Sequence, residues 1–197
     1  MTGADHLAYA LLWLIFAAAH SVLASARAKR LTRAWFGLRE RLAYNLIAVL
    51  HFGVTVAAGR FLLGGSAATP FDLPPMVSQA MLAAQTGGCI LILLALRHYD
   101  LGRFAGTAKV DDTAAPEPLH TAGLHRYVRH PLYSGAFLLL AGGATDPFGL
   151  ATALWACLYL IIGSRFEERR LISLYGDDYR RYHAAVPAFV PWRGRAI

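Results

Sequence analysis

A short polar segment lies at each end of an apolar stretch that covers residues 132–164. Within these 33 residues the only charged side chain is Asp146, which Pro147 follows. Two apolar helices joined by a turn at Asp146-Pro147 are therefore predicted, and their outer ends emerge on the same side of a bilayer. The polar segments 129–130 (Arg-His) and 167–168 (Glu-Glu) are expected to meet at that membrane surface.

Three further apolar runs, 7–24, 42–63 and 76–96, approach or reach the roughly 17–25 residues that cross a bilayer core. With 56% hydrophobic and 16% charged residues, the chain has the composition of a small polytopic membrane protein. The predicted fold class is all-α, with about five transmembrane helices and a C-terminal amphipathic interfacial helix. The last two transmembrane helices form a short hairpin, because the run before Asp146 is too short to cross a bilayer core of roughly 30 Å.

A single integral membrane domain over residues 1–197 is predicted. Residues 1–97 hold the three N-terminal transmembrane helices, and residues 98–191 hold a polar loop, the hairpin and the C-terminal helix. The basic linker 25–41 is expected to form a short interfacial helix. Beyond the hairpin, Tyr175, Tyr179 and Tyr182 recur at helical spacing, which favours an aromatic belt at the membrane interface.

The basic residues indicate the orientation of the chain. Of the 19 Lys and Arg residues, all except Arg60 follow the first apolar run, the third apolar run or the hairpin. The positive-inside rule then places the N-terminus outside and the C-terminus in the cytoplasm. Because its basic residues follow the run 7–24, that run is interpreted as a retained helix and not as a signal peptide.

Two motifs identify a family resemblance. RHPLYSG at 129–135, preceded by Gly123, and EERRL at 167–171 together resemble the signature of the isoprenylcysteine carboxyl methyltransferase superfamily, which also includes phospholipid N-methyltransferases. The resemblance covers roughly residues 117–191 and implies that residues 98–191 form a methyltransferase core. It also implies an enzyme that uses S-adenosylmethionine at the cytoplasmic face of a bacterial inner membrane.

Shorter motifs in the N-terminal half resemble one bacterial branch of this superfamily. They are HS at 20–21, ER at 40–41 and HYDL at 98–101. That branch includes the methanethiol S-methyltransferases and proteins linked to nitrite and nitric oxide metabolism.

The resemblance implies a set of residues that bind S-adenosylmethionine. Residues 117–120 correspond to a loop that covers the cofactor, and His125 stands where the family usually has a tyrosine. The predicted cofactor-binding residues are Glu117, Leu119, His120, His125, His130, Pro131, Tyr133 and Glu167. In chemical terms, a carboxylate such as Glu167 offsets the positive sulfonium and amino groups, and Arg129 or His130 donates to the cofactor's carboxylate.

The catalytic and substrate-binding residues are predicted partly from chemistry. Arg129, Glu168 and His98 are the candidate catalytic residues, and Arg165 and His20 are the candidate substrate-binding residues. Glu168 is expected to orient the cofactor or the substrate. One of the two histidines is expected to take a proton from a thiol nucleophile, because an imidazole titrates near neutral pH.

One departure from the family bears on the methyl acceptor. Isoprenylcysteine enzymes have an arginine four residues before the acidic pair, where this chain has Gly163, with Arg165 two residues later. A smaller or different nucleophile is therefore favoured over a prenylcysteine carboxylate. Thiol, prenylcysteine, phospholipid-amine and small lipophilic carboxylate acceptors all stay open.

Several alternatives stay open beside the methyltransferase. Arg129, His130 and Pro131 are also typical of a helix start at the headgroup level, and Glu167 and Glu168 of a solvated helix face. The alternative functions are a non-catalytic accessory protein for nitrogen-oxide metabolism and a sterol-reductase-like enzyme that uses NADPH. The sequence has no metal-ligand spacing and no nucleic-acid-binding motif, so neither a metal nor a nucleic acid is expected as a partner. The expected partners are the lipid bilayer and a small or lipophilic methyl acceptor.

Overall fold

The structure is a computed structural model that describes residues 3–63, 69–108 and 118–192. These residues form eight α-helices, which are listed in chain order. They are α1 (Gly3–Ala24), α2 (Ala26–Phe36), α3 (Glu40–Leu62), α4 (Pro75–Leu96), α5 (Leu101–Ala105), α6 (Pro131–Gly142), α7 (Pro147–Tyr175) and α8 (Asp177–Ala185). Short 3₁₀ turns cover Gly37–Arg39 and Gly123–Arg126. No strand occurs among the described residues.

The prediction of an all-α polytopic membrane protein is confirmed. Four helices, α1, α3, α4 and α7, are long and apolar enough to span a membrane. The fifth apolar helix, α6, has only 12 residues, or about 18 Å at 1.5 Å per residue. Its partner in the hairpin is much longer, because the 29 residues of α7 continue past the apolar stretch to Tyr175.

The chain forms two compact units, and the first consists of residues 1–70, 99–115 and 146–151. Its core is aromatic, and the rings of Tyr9 and Trp13 meet edge to face with centroids 6.3 Å apart. The Tyr9 ring also lies against Gly59, where α1 meets α3 and a Cβ would have no room. Within the same unit, the Asn45 side-chain amide donates to the carbonyl of Ala105 over 3.0 Å and so joins α3 to α5.

The second unit consists of residues 71–98, 116–145 and 152–197, and its central contact joins α4 to α6. Gly88 of α4 lies so close to α6 that an added Cβ would be 2.5 Å from the backbone nitrogen of Leu139. Gly135 of α6 faces α4 in the same way, because a Cβ added there would be 2.9 Å from the carbonyl oxygen of Gly88. Small residues on both helices allow this approach, which compensates for the short length of α6 with dense packing.

The C-terminal segment has a small core of its own within the second unit. Tyr179, Tyr182 and Val186 are almost fully buried, and Leu119 and Leu171 pack against them. The interpretation of Tyr179 and Tyr182 as an interfacial belt was wrong. These residues and Val186 recur at a spacing of three and four, so they form one buried face of α8 and the turn that follows it.

Candidate active site

The candidate site is built around the carboxylate of Glu168, which α7 carries into the second unit. Its side chain is only 9% exposed. Arg129 approaches it with two nitrogens, Nη2 at 2.7 Å and Nε at 2.8 Å from Oε1. His130 Nε2 lies 3.0 Å from the same oxygen, and His183 Nε2 lies 3.4 Å from Oε2. A buried charge of this kind is retained only where its partners compensate it, and Glu168 has three of them.

The donors of Arg129 are directed at the protein itself. Its Nη1 donates to the carbonyl of His183 over 3.1 Å and also to the carbonyl of Val186 at the end of α8. Its backbone nitrogen donates to the carbonyl of Pro187 over 2.9 Å. The Arg129 side chain is 9% exposed, so its positive charge neutralises Glu168 and satisfies the last carbonyls of α8.

Further hydrogen bonds attach the segment after α8 to the start of α6. The backbone nitrogen of His130 donates to the carbonyl of Ala188 over 3.0 Å, and the Ser134 hydroxyl donates to the carbonyl of Phe189 over 2.7 Å. The Phe189 ring lies beside the His130 ring with centroids 5.6 Å apart. The residues after α8 therefore fix the position of the His130 side chain.

The second carboxylate of the acidic pair is in a different environment. Glu167 is 47% exposed, and its Oε2 accepts a hydrogen bond of 3.1 Å from the Tyr133 hydroxyl. His130 Nδ1 is 3.7 Å from the same oxygen. The His130 and Tyr133 rings are stacked with centroids 5.2 Å apart, because residues three apart lie on one side of α6 and its first turn. Glu167 thus presents a carboxylate that is held in place yet open on one side.

Three histidines lie next to this site, around the 3₁₀ turn that contains Gly123. The His98 and His120 rings are 5.9 Å apart, and the His120 and His125 rings are 5.4 Å apart. Gly123 has φ +59°, and a Cβ there would meet His98 Nε2. A glycine is needed at this position for both reasons.

The hydrogen bonds of two of these rings indicate their tautomers. His98 Nδ1 lies 3.1 Å from the Leu94 carbonyl and His125 Nδ1 lies 3.2 Å from the Arg129 carbonyl, so in each neutral ring Nδ1 donates and Nε2 keeps its lone pair. Burial, together with the positive charge that His120 can carry, lowers the pKa of His125 to about 4. His125 is therefore neutral at pH 7. The two rings also differ in burial, because His125 is buried and His98 is exposed to solvent.

The structure brings together most of the residues predicted from the sequence. Arg129, His130, Tyr133, Glu167 and Glu168 form one hydrogen-bonded group, in which Arg129 and Glu168 are the buried members. The remaining predicted residues lie as follows.

Pro131 is buried at the first position of α6, Leu119 packs on the C-terminal core, and Arg165 is exposed on α7. His20 belongs to the first unit, where its Nε2 is 2.7 Å from the Tyr44 hydroxyl. Glu117 lies outside the described residues. Among the described residues, no group of three His, Cys, Asp or Glu side chains could hold a metal ion.

The sequence reasoning missed His183, Ser134 and Tyr182. His183 contacts Glu168, and the Tyr182 hydroxyl donates to the His125 carbonyl over 2.7 Å. Burial and the nearby Glu168 carboxylate raise the pKa of the Tyr179 hydroxyl. The available signal was the spacing of Tyr179, Tyr182 and Val186, which is that of a buried helix face.

The chain is similar to known methyltransferases. It is 31% identical to a methanethiol S-methyltransferase of Pseudomonas sp. (strain GM41(2012)) over 197 residues, which cover 94% of this chain and 73% of that protein. It is 29% identical to methanethiol S-methyltransferase 1 of Bradyrhizobium diazoefficiens over 125 residues, or 60% of this chain and 44% of that protein.

A weaker similarity extends to eukaryotes. The chain is 34% identical to a protein-S-isoprenylcysteine O-methyltransferase of Schizosaccharomyces pombe over 79 residues, or 37% of this chain and 33% of that protein. With some relatives, including the Bradyrhizobium protein, the match spans less than half of the relative's length. No family model and no solved structure matches the chain.

Proposed function

Because the chain belongs to the family of the bacterial methanethiol S-methyltransferases, within the isoprenylcysteine carboxyl methyltransferase-like superfamily, we propose that it is a membrane methyltransferase that uses S-adenosylmethionine. The observation that carries the proposal is the contrast between the two adjacent carboxylates. Glu168 is buried and neutralised by Arg129, whereas Glu167 is half exposed and held by Tyr133 and His130. Such a site offers one oriented negative charge to a cationic ligand.

The residues around Glu167 fit the chemistry of S-adenosylmethionine, which supplies an electrophilic methyl group on a positively charged sulfur. The exposed Glu167 carboxylate offsets the positive charge of the sulfonium or of the amino group. The partly exposed Tyr133 ring and the exposed His120 ring offer flat surfaces for an aromatic base. Arg129 is less suited to the cofactor's carboxylate than the sequence indicated, because its donors are already used by Glu168 and two carbonyls.

The chain's own residues then have separate tasks in methyl transfer. Glu168 and Arg129 fix the His130 ring, and His130 and Tyr133 hold the Glu167 carboxylate. His98 Nε2, whose lone pair is left free by the Nδ1 contact with Leu94, takes the proton of the acceptor. Catalysis comes mainly from positioning the reactants and excluding water.

We propose that the acceptor is a small thiol. Several relatives are named methanethiol S-methyltransferases, and the proposal assigns the same class of methyl acceptor to this chain. In the transfer, His98 would take the thiol proton, and S-adenosylmethionine held by Glu167 and its neighbours would supply the electrophilic methyl group to the resulting thiolate. Gly163 supports a small acceptor, because it stands where isoprenylcysteine enzymes have the arginine that holds a substrate carboxylate.

The proposed setting is a bacterial cytoplasmic membrane, with the N-terminus outside and the C-terminus in the cytoplasm. Two of the helices long enough to span a membrane, α1 and α3, are joined through the basic α2, and basic segments of this kind are retained on the cytoplasmic side. The site at the start of α6 and in the C-terminal part of α7 then faces the cytoplasm, where S-adenosylmethionine is available.

The first test is ligand binding by calorimetry on the detergent-purified protein. We expect saturable binding of S-adenosylmethionine, and we expect His130→Ala and Glu167→Gln each to weaken it by about tenfold or more, as for a lost hydrogen bond to a charged group. Binding of NADPH instead would indicate a reductase. Binding of neither ligand would refute the enzyme proposal in favour of an accessory protein.

The second test is product formation with methanethiol as the acceptor. Headspace gas chromatography measures dimethyl sulfide, and wild type is compared with His98→Gln, which keeps polarity but lacks a basic nitrogen. We expect wild-type turnover and a loss of at least about a hundredfold in the variant at pH 7, as for a general base. Unchanged turnover in His98→Gln would exclude His98 as the proton acceptor without affecting the binding result.

A further inference from the structure

Helix α2 combines a basic face with an apolar face that is open to its surroundings. Its sequence, ARAKRLTRAWF, has no acidic residue. At 100° per residue, Lys29, Arg30 and Arg33 fall on one side of the helix, and Leu31 and Trp35 fall on the opposite side, with Arg27 beside Leu31 at the edge of the apolar face. Leu31 is 66% exposed and Trp35 is 85% exposed, so these side chains are not part of the protein core.

The position of α2 relative to the membrane follows from its connections within the first unit. A single residue, Ser25, separates α2 from α1, and the 3₁₀ turn Gly37–Arg39 separates it from α3. Because α1 and α3 are both long enough to span a membrane, the two ends of α2 lie where these spans leave the bilayer. The helix therefore lies at the membrane surface.

Both ends of α2 are fixed by local structure. The Ser25 side chain accepts a hydrogen bond of 3.3 Å from the backbone nitrogen of Ala28, which caps the first turn. At the other end, Gly37 has φ +56°, and its backbone nitrogen donates to the Arg33 carbonyl. The basic and apolar faces are thus held in fixed positions by a folded helix.

We infer that α2 binds anionic phospholipids at the membrane surface. Leu31 and Trp35 enter the acyl boundary, while the basic face attracts phosphate headgroups that carry net negative charge, such as phosphatidylglycerol. The charge complementarity favours this occupant over zwitterionic lipid, because each Lys or Arg near an anionic surface contributes roughly a fivefold enrichment. The inference is independent of the proposed methyl transfer and of the site on α6 and α7.

The test uses the full chain in phosphatidylcholine vesicles and the fluorescence of Trp35. The vesicles contain about 20 mol% of either brominated phosphatidylglycerol or brominated phosphatidylcholine, because bromine quenches tryptophan on contact and anionic lipid collects around bound cations. The chain has four tryptophans, so the signal of Trp35 is the difference between wild type and Trp35→Phe. We expect brominated phosphatidylglycerol to quench Trp35 at least about twice as strongly as brominated phosphatidylcholine.

Two matched double variants distinguish lipid binding by α2 from an effect of the overall positive charge of the protein. Arg27→Gln/Arg30→Gln removes two exposed cations of α2, and Arg180→Gln/Arg181→Gln removes two exposed cations of α8. We expect the preference for brominated phosphatidylglycerol to disappear in the first variant and to persist in the second. High salt should abolish it in wild type as well, which tests the inference without any substitution.

The outcomes that overturn the inference are distinct. Equal quenching by the two brominated lipids in wild type would show that α2 has no preference for anionic headgroups. Absence of quenching by both lipids would show that a protein surface, such as a second copy of the chain, covers Trp35. A preference that survives Arg27→Gln/Arg30→Gln at low salt would assign the effect to other residues.

Discussion

The two adjacent carboxylates of α7 should respond in opposite ways to the same substitution. Glu168→Gln removes the only negative charge that contacts the buried Arg129 guanidinium among the described residues, while keeping the shape of the side chain. Breaking a buried ion pair by removing one partner costs about 3–5 kcal/mol. The amide can still accept from Arg129 and His130, so we expect the free energy of unfolding to fall by about 3 kcal/mol, the lower end of that range.

The matched control is Glu167→Gln, one residue earlier on the same helix. Its side chain is 47% exposed, and the amide oxygen can still accept from the Tyr133 hydroxyl. Because the pair is screened by solvent, we expect the free energy of unfolding to change by less than about 1 kcal/mol. The same variant should bind S-adenosylmethionine about tenfold more weakly, as for the loss of one charged contact.

The assay is a titration of detergent micelles with sodium dodecyl sulfate, followed by circular dichroism, with calorimetry for ligand binding. The double variant Arg129→Met/Glu168→Gln sharpens the test, because it removes both charges. We expect its cost to be smaller than the sum of the single costs by at least about 2 kcal/mol. Equal stabilities of Glu167→Gln and Glu168→Gln, or additive costs in the double variant, would refute the assignment of Glu168 as a buried structural charge.

Three further predictions test the neighbouring residues. Gly123→Ala should lower the free energy of unfolding by about 1–3 kcal/mol, because residue 123 has a positive φ and the added Cβ would meet the His98 ring. The control is Gly163→Ala on α7, where the added Cβ would meet no other atom within 4 Å. Tyr182→Phe should cost about 1–3 kcal/mol by removing the hydroxyl that donates to the buried carbonyl of His125, and equal denaturation midpoints would contradict this. The unfolded chain binds a proton at His125 below about pH 6.5, whereas the folded chain does so only below about pH 4. The free energy of unfolding should therefore fall by up to about 3 kcal/mol as the pH drops through this window. His125→Gln should flatten this pH profile.

The fold could be predicted from the sequence because its main constraint is local. Apolar runs long enough to span a bilayer, with Asp146-Pro147 between the last two, determine the helices without any knowledge of how they pack. The short α6 was predicted for the same reason. The close approach of Gly88 and Gly135 was not, because small residues are compatible with many helix pairings and their partners lie far apart in sequence.

The sequence motifs predicted which residues lie together in the candidate site, but not which groups each of them contacts. The motifs 129–135 and 167–171 identified Arg129, His130, Tyr133, Glu167 and Glu168, which the structure joins by hydrogen bonds. These residues differ in burial, and their burial depends on α8 and on the segment after it. Tyr182 of α8 was interpreted as an interfacial residue, and His183 was not singled out by any pattern. The direction of the Arg129 donors toward the His183 and Val186 carbonyls could be learned only from the folded chain.

Helix geometry explains why only one of two adjacent carboxylates can be available to a ligand. Consecutive residues on an α-helix point about 100° apart, so Glu167 and Glu168 cannot both face the interior. The buried Arg129 side chain carries a full positive charge, and Glu168 is the member of the acidic pair that contacts it. Glu167 is thereby turned toward Tyr133 and the open side of the site. The two carboxylates thus lie in different environments, and exchanging these environments would require a shift of α7 by one residue.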